Sequence, residues 1–582
     1  MAIRFKNILP DLMETLVRFP VPVAASLWLW LYHFTTGDSG LFGAQINVFW
    51  SATAAFLAGG SGHLLAEGRG WSRAVNLLIA GFAGAAGAGL AYFYASTSVS
   101  YLFLLSGLAL LLMVAGFMHR GAPQGALWLF NMRLCLATLL ALVVGVVFGA
   151  GLSAVIAGLK FLLDIDLGYR AFDHVWTTAV VLVGPVFGLA MVPRDLTEQI
   201  DITSHKGSLL ERGLSVLVNY VMVPLVLVYV LILHAYAAKI IESGSLPKGE
   251  VGTMVSLFAI GGTATWLMAW PWREQGTWLL RFFMRSWFWF LPVPAVLLAI
   301  AIWRRVSDYG VTPDRYGVAL VAVWTLLVFA TLLVRRNRAD MRVIIGGAAV
   351  LLLASSFGPQ GAFAVTARSQ FARLVALLDE GHALKDGHFA GKVQGLSQQK
   401  INDAYSIMQA LFDVRGLQRV ASLFGPDQLK AQPSDPWAFR EELNAKLGIA
   451  YDYVSNGEGR FSFDPAKLAD VTVDAGSRLI GPFNTYSGAN NTTLPHDVIL
   501  RLDGQGLYVL GGGVSKSLPV ADLVKQLRAA MPAQGQPDTP LRIDLKDGVA
   551  LVILSANGKE TPEPAVDNIT GWLVLPKSQA TP

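Results

Sequence analysis

The stretch LKFLLDIDLGYRAFDHVW at 159–176 gathers Asp164, Asp166, Arg170, Asp173 and His174 between two apolar runs. Carboxylates two residues apart can hold a divalent cation through hard oxygen ligands, so Asp164 and Asp166 are the first candidates for metal or catalytic chemistry. A structural reading competes with it. Lys160 and Asp164 stand four apart, the spacing of an ordinary ion pair on one helix face, and the other polar residues suit a solvated outer loop.

His63 and Glu67 also stand four apart, inside an apolar run, and His33 and His234 have equally apolar surroundings. Ionisable groups at membrane depth mark proton or ion paths. Towards helix ends the headgroup region solvates them, and a hydrogen bond between His63 and Glu67 is the structural account of that pair.

The third candidate is SDYGVTPDRYGV at 307–318. Gly310 permits a turn, Thr312 is placed to cap the helix that follows, Pro313 and Asp314 suit its first turn, and Tyr309 and Tyr316 suit an interface. Arg315 opposes the dipole at a helix start and therefore needs a compensating partner: Asp308, a lipid phosphate or the C-terminal domain. The stretch reads first as a plain corner; the alternatives make Tyr309, Thr312, Arg315 and Tyr316 a candidate membrane or interface site, as a docking point for the C-terminal domain or as a substrate contact.

Other motifs fall away. GGGVSKS at 511–517 lacks the Gly-Lys-Ser/Thr order of a phosphate loop, because Ser515 precedes Lys516. No Gly-x-Ser-x-Gly occurs, and the single cysteine, Cys135, excludes a disulfide framework or a cysteine-based metal site within one chain. No catalytic set, cofactor or metal is assigned.

The elements that must position these residues are membrane helices. The 582 residues are 54% hydrophobic and 15% charged, with mean hydropathy +0.50, too apolar for an ordinary soluble protein. Residues 1–362 hold 24 Lys/Arg against 17 Asp/Glu, spread over short loops, so the basic excess marks topology and not a nucleic-acid surface.

Apolar stretches of the length needed to cross about 30 Å of hydrocarbon recur eleven times, near 19–35, 46–66, 74–95, 101–118, 134–153, 174–193, 214–235, 251–270, 287–303, 316–334 and 343–362. Several begin at prolines, as in RFPVPVAASLW, NYVMVPLVLVY and FLPVPAVLLAI, where a missing N–H costs little. The first span shows no cleavage pattern. With the N-terminus cytoplasmic, 17 of those 24 basic residues lie inside, which places the C-terminal domain outside. A re-entrant ninth span would make that 16 and put the domain inside.

After residue 362 the pattern becomes that of a soluble α+β domain. Helical spacing covers 366–380 and 397–424, and Asp435 and Pro436 announce a third helix. VILRLDGQGLYVLGG and LRIDLKDGVALVILS are hairpin signals, with VADLVKQLRAAM a helix between them. The expected organisation is a transmembrane helical domain over 1–362, a soluble α+β domain over 363–576 and a disordered tail over 577–582.

NYVMVPLVLVYVLILHAYAAKI (219–240), YGVTPDRYGV (309–318) and SSFGPQGAFAVTARSQFARL (355–374) resemble the bacterial multi-pass membrane family known as domain of unknown function 4153. The resemblance covers most of the chain, implies a bacterial inner membrane, and supplies no catalytic residue to carry over. The expected function is a non-enzymatic envelope component: a membrane bundle that binds or moves a small or lipid-like molecule, and an extracytoplasmic domain that recognises a partner or cargo. The partners are the bilayer, other envelope proteins or such a ligand, and no nucleic acid. One alternative is a membrane transferase at the outer loops, since Asp-x-Asp is similar to the motif of glycosyltransferases using lipid-linked sugars. Those enzymes usually carry it in the first outer loop, whereas here it is in the third. The other alternative is a ligand sensor with a separate output partner.

Overall fold

The computed structural model describes residues 8–36, 46–93, 98–165, 167–199, 209–243, 251–335, 339–425, 428–432, 435–449, 460–465, 477–488, 491–511, 513–531, 537, 539–545, 547–559 and 563–576. The chain forms two compact units, Met1–Gln370 and Phe371–Pro582.

The first unit is helical. α1 (Ile8–Arg18) and α2 (Pro20–Thr36) meet at Phe19, with α2 opening on proline. α3 (Ile46–Gly68) and α4 (Arg73–Phe93) pack through small residues. A Cβ on Gly62 would lie 2.7 Å from the Ala80 backbone, and one on Gly87 would lie 2.8 Å from the Ala58 side chain. Such close approach is how helices associate where lipid removes the hydrophobic drive between them. α5 (Ser98–Ala115) follows, then α6 (Gln124–Leu163), whose 40 residues extend about 60 Å, twice the hydrocarbon thickness.

α7 (Gly168–Thr177) runs through a π-helical turn (Thr178–Val183) into α8 (Gly184–Ala190). α9 (Leu209–Leu217) likewise runs through a π turn (Val218–Met222) into α10 (Val223–Ser243). Both π turns end two residues before a proline, Pro185 and Pro224. The wide turn is visible in the hydrogen bonds Gly184 N–H to Ala179 O and Val223 N–H to Val218 O. Proline cannot donate to the carbonyl four residues back and its ring crowds that carbonyl, so widening the preceding turn keeps the helix continuous. Pro224 is therefore inside a span and not in a first turn, a correction to the reading of NYVMVPLVLVY.

α11 (Val251–Ala269), α12 (Trp278–Phe290), α13 (Pro292–Tyr309), α14 (Pro313–Arg335), α15 (Met341–Ser355) and α16 (Ala362–Glu380) complete the helices, the last continuing into the second unit. Among the described residues, each of the eleven apolar stretches falls mainly on helix. Among the described residues, seven helical runs are long and apolar enough to cross: Arg73–Phe93, Gln124–Leu163, Gly168–Ala190, Glu211–Ser243, Gly252–Trp272, Trp278–Tyr309 and Pro313–Arg335. Val99–Ala115 and Met341–Ser355 are shorter. The expected count of eleven is not reached on these grounds, because α2 has 17 residues and α3 is diluted by glycine, serine and His63.

In the second unit, β1 (Leu384–Lys385) and β2 (His388–Phe389) form a small hairpin before α17 (Gln398–Asp413), α18 (Leu417–Ala421) and α19 (Pro436–Leu447). Asp435 caps α19, its side chain accepting from Ala438 N–H. β3 (Arg460–Phe463), β4 (Arg478–Tyr486), β5 (Thr492–Leu494), β6 (Val498–Leu502), β7 (Gly506–Gly511) and β8 (Val514–Pro519) precede α20 (Val520–Ala530), β9 (Leu541–Asp544), β10 (Ala550–Lys559) and β11 (Ala565–Leu575). One antiparallel sheet has the order β3-β10-β11-β4, with β9 also on β10; the other is the meander β5-β6-β7-β8. Both hairpins expected from sequence form, β6 with β7 and β9 with β10. One core joins the sheets to α20 through Leu523, Val524 and Leu527.

Candidate functional site

The 307–318 stretch is a clamped corner between α13 and α14. Gly310 ends α13 at φ 70°, a conformation that favours glycine. Thr312 Oγ1 accepts from Arg315 N–H at 3.5 Å, the expected cap in a long form. Arg315 donates to the carbonyls of Tyr309 (3.1 Å) and Gly310 (2.8 Å) and lies over the Tyr309 ring, so the last carbonyls of α13 compensate it. Tyr316 donates to the Gln360 carbonyl at 2.7 Å. From α16, buried Gln370 donates to the carbonyls of Tyr309 (3.2 Å) and Val311 (2.7 Å), while Ser369 Oγ accepts from Val311 N–H.

His63 and Glu67 do not pair with each other. His63 turns to Asn76 of α4. Glu67 takes Arg18 of α1 through both carboxylate oxygens at 3.0 Å, and Arg18 also donates to the carbonyls of Val192 and Pro193. This cluster ties the α1–α2 break to the end of α3. His234 bonds the Val230 carbonyl of its own helix.

Asp164 closes α6 in the left-handed region at φ 56°, and it joins no group of three metal-ligand side chains among the described residues. Asp166 lies outside the described residues. Asp173 and His174, expected on a loop, are on α7, which packs against the end of α2. There they meet His33. His33 Nε2 is 2.9 Å from Asp173 Oδ2, and the ligand atoms of His33, Asp173 and His174 all lie within 4.8 Å of one another. Phe34 stacks on the His174 ring at 4.2 Å. Thr178, in the π turn, donates to the His174 carbonyl and accepts from Trp30 Nε1–H, which fixes α2 against α7. Residues noted in two separate stretches thus form one cluster. A signal was available: His33 ends its apolar run, Asp173 and His174 begin theirs, and an alternating topology puts both at one membrane face.

Elsewhere in the unit, α2, α3 and α4 leave an open groove of about 450 Å³. Its lining is almost wholly apolar and includes Val21, Ala25, Trp28, Ala55, Gly89 and Tyr92. Helices that carry alanine and glycine where others carry leucine leave such space, and no sequence feature had marked it.

The family described as Domain of unknown function (DUF4153) matches residues 23–380. The chain belongs to this family. Within the DUF4153 match lie the groove from Ala25 onward, the three-residue cluster, His63, Glu67 and the clamped corner up to Gln370. "Uncharacterized protein PM1469" of Pasteurella multocida (strain Pm70) is 26% identical over 305 residues, covering 51% of this chain and 50% of that protein. The chain thus spans about half the length of this relative. No solved structure matches.

Proposed function

We propose that the helical unit of this DUF4153 protein is a bacterial inner-membrane bundle of eleven spans that holds a lipid-like molecule, with one acyl chain in the α2–α3–α4 groove. The groove carries this reading: its volume is that of a small-molecule site, its lining is apolar, and its walls belong to helices surrounded by lipid. The second unit, on the periplasmic side in this reading, recognises an envelope partner or cargo.

Gly89 lines the groove, and a Cβ there would meet nothing within 4 Å. Gly89→Phe therefore fills the groove without disturbing helix packing. With the full chain in nanodiscs containing a phospholipid with a photoactivatable acyl chain, label is expected on Trp28 and Tyr92 and about tenfold less in Gly89→Phe. Label that is spread evenly over the bundle, or that persists in the variant, sinks the reading. Fusions at Pro582 to a reporter active only in the periplasm and to one fluorescent only in the cytoplasm test the orientation. A cytoplasmic end would remove the eleven-span arrangement.

A further inference from the structure

We propose that His33, Asp173 and His174 bind one divalent transition ion of the Zn²⁺ class, a site independent of the acyl-chain groove.

The donor set is two imidazoles and one carboxylate, which suits Zn²⁺ and neighbouring first-row ions and is unsuited to Mg²⁺ or Ca²⁺, whose shells are oxygen. Zn–N and Zn–O bonds of about 2.0–2.2 Å place tetrahedral ligand atoms roughly 3.4 Å apart. The cluster brackets that separation, with one pair, His33 Nε2 and Asp173 Oδ2, at 2.9 Å and every pair within 4.8 Å.

Burial supplies the second argument. The His33 side chain is 8% exposed and that of Asp173 14%. Although His33 Nε2 is close to Asp173, its direction is not that of a hydrogen bond, and buried His174 Nδ1 has no hydrogen-bond partner among the described residues. A buried polar atom left unsatisfied costs about 1–3 kcal/mol. Two imidazole nitrogens and a carboxylate gathered in an apolar wall are satisfied together by one cation, which also offsets the carboxylate charge.

The surroundings hold the ligands in place. The Phe34 ring stacked on His174 fixes one imidazole, and the chain Trp30 to Thr178 to the His174 carbonyl fixes α7 against α2. The π turn begins four residues after His174, and π turns are frequent beside functional sites. Three protein ligands leave a fourth tetrahedral position for water or an anionic group, the pattern of reactive more than of closed structural zinc sites.

The test uses the full chain in detergent, freed of any affinity tag, stripped with a chelator and reloaded with Zn²⁺ or Co²⁺. One equivalent of zinc per chain is expected by elemental analysis, together with the intense visible bands of tetrahedral Co²⁺. Asp173→Asn, nearly identical in shape, and His174→Ala should each bind at least tenfold more weakly, while His63→Ala and His234→Ala keep the metal. Zinc should raise the melting temperature of the wild type and leave that of Asp173→Asn unchanged. Wild-type protein with under a tenth of an equivalent of zinc and no tetrahedral Co²⁺ spectrum would overturn the proposal without any variant. Equal stoichiometry in Asp173→Asn would overturn it too, by placing the metal elsewhere.

Discussion

Gln370 donates its side-chain amide to the carbonyl of Val311 at 2.7 Å and to that of Tyr309 at 3.2 Å, joining the middle of α16 to the corner between α13 and α14. Gln370 is 2% exposed, so its amide has little water to fall back on.

Gln370→Ala removes the side-chain donor to the Val311 carbonyl and leaves the Tyr309 carbonyl to Arg315 alone, and should cost about 1–3 kcal/mol. Thermal unfolding of the detergent-solubilised chain reads the loss. Gln370→Glu should do at least as much damage, since a carboxylate facing carbonyl oxygens is repelled. A wild-type melting temperature in both variants would mean that the corner does not depend on this clamp.

Arg18 and Glu67 are expected to be coupled. Arg18→Ala and Glu67→Gln should each destabilise the bundle, and the double variant should fall short of their sum by about 1–2 kcal/mol, since the pair is partly shielded from water. Additive losses in that double-mutant cycle would remove the structural account and return Glu67 to candidacy as an ion-path residue.

Glycines facing a neighbouring backbone should tolerate nothing larger. A Cβ on Gly62 would lie 2.7 Å from the Ala80 backbone, and one on Gly68 would lie 1.8 Å from the Gly116 carbonyl oxygen. Gly62→Ala and Gly68→Ala should lower the yield of folded protein, whereas Gly81→Ala, in open space, should raise helix stability slightly. Size-exclusion profiles and melting temperatures of the three variants decide the point.

The second unit should carry a pH dependence at Glu442. The backbone N–H groups of Ala431 and Lys430 donate to its carboxylate and hold its carboxyl below the usual range. A depressed folded pKa gives stability that is fully present above the unfolded value, about 4.3, and is lost as pH falls through the folded value. Amide exchange in the peptide containing Lys430 and Ala431, corrected for intrinsic rate, should speed up below about pH 4 in the wild type. Glu442→Gln should show reduced protection already at pH 7 and no further change in that acid range.

The parts legible in the sequence share a physical basis. Leu541, Ile543 and Leu545 alternate with polar residues because one face of that strand meets the core and the other meets water, so the pattern shows the face. The position of the membrane helices was equally plain. Which side of each helix looks inward was not, because lipid and protein interior both select apolar residues and the helix carries no polar stripe to betray its rotation. His33 and His174 therefore looked isolated, and Glu67 looked paired with His63 when its partner, Arg18, belongs to another helix. The corner was readable because glycine, proline and a capping threonine act locally. Its clamp from Gln370 was not, since nothing local relates residues that far apart in sequence.

The π turn at Thr178–Val183 is also a phase setting. It holds one residue more than the α-helix it interrupts, and one residue is about 100° of rotation about the helix axis. Removing that residue would restore a regular helix and swing Asp173 and His174 about a quarter of a circle relative to α8. Holding α8 in place, they would leave the side of the helix that faces His33. The angular position of those two side chains is thus encoded downstream of them, by Pro185.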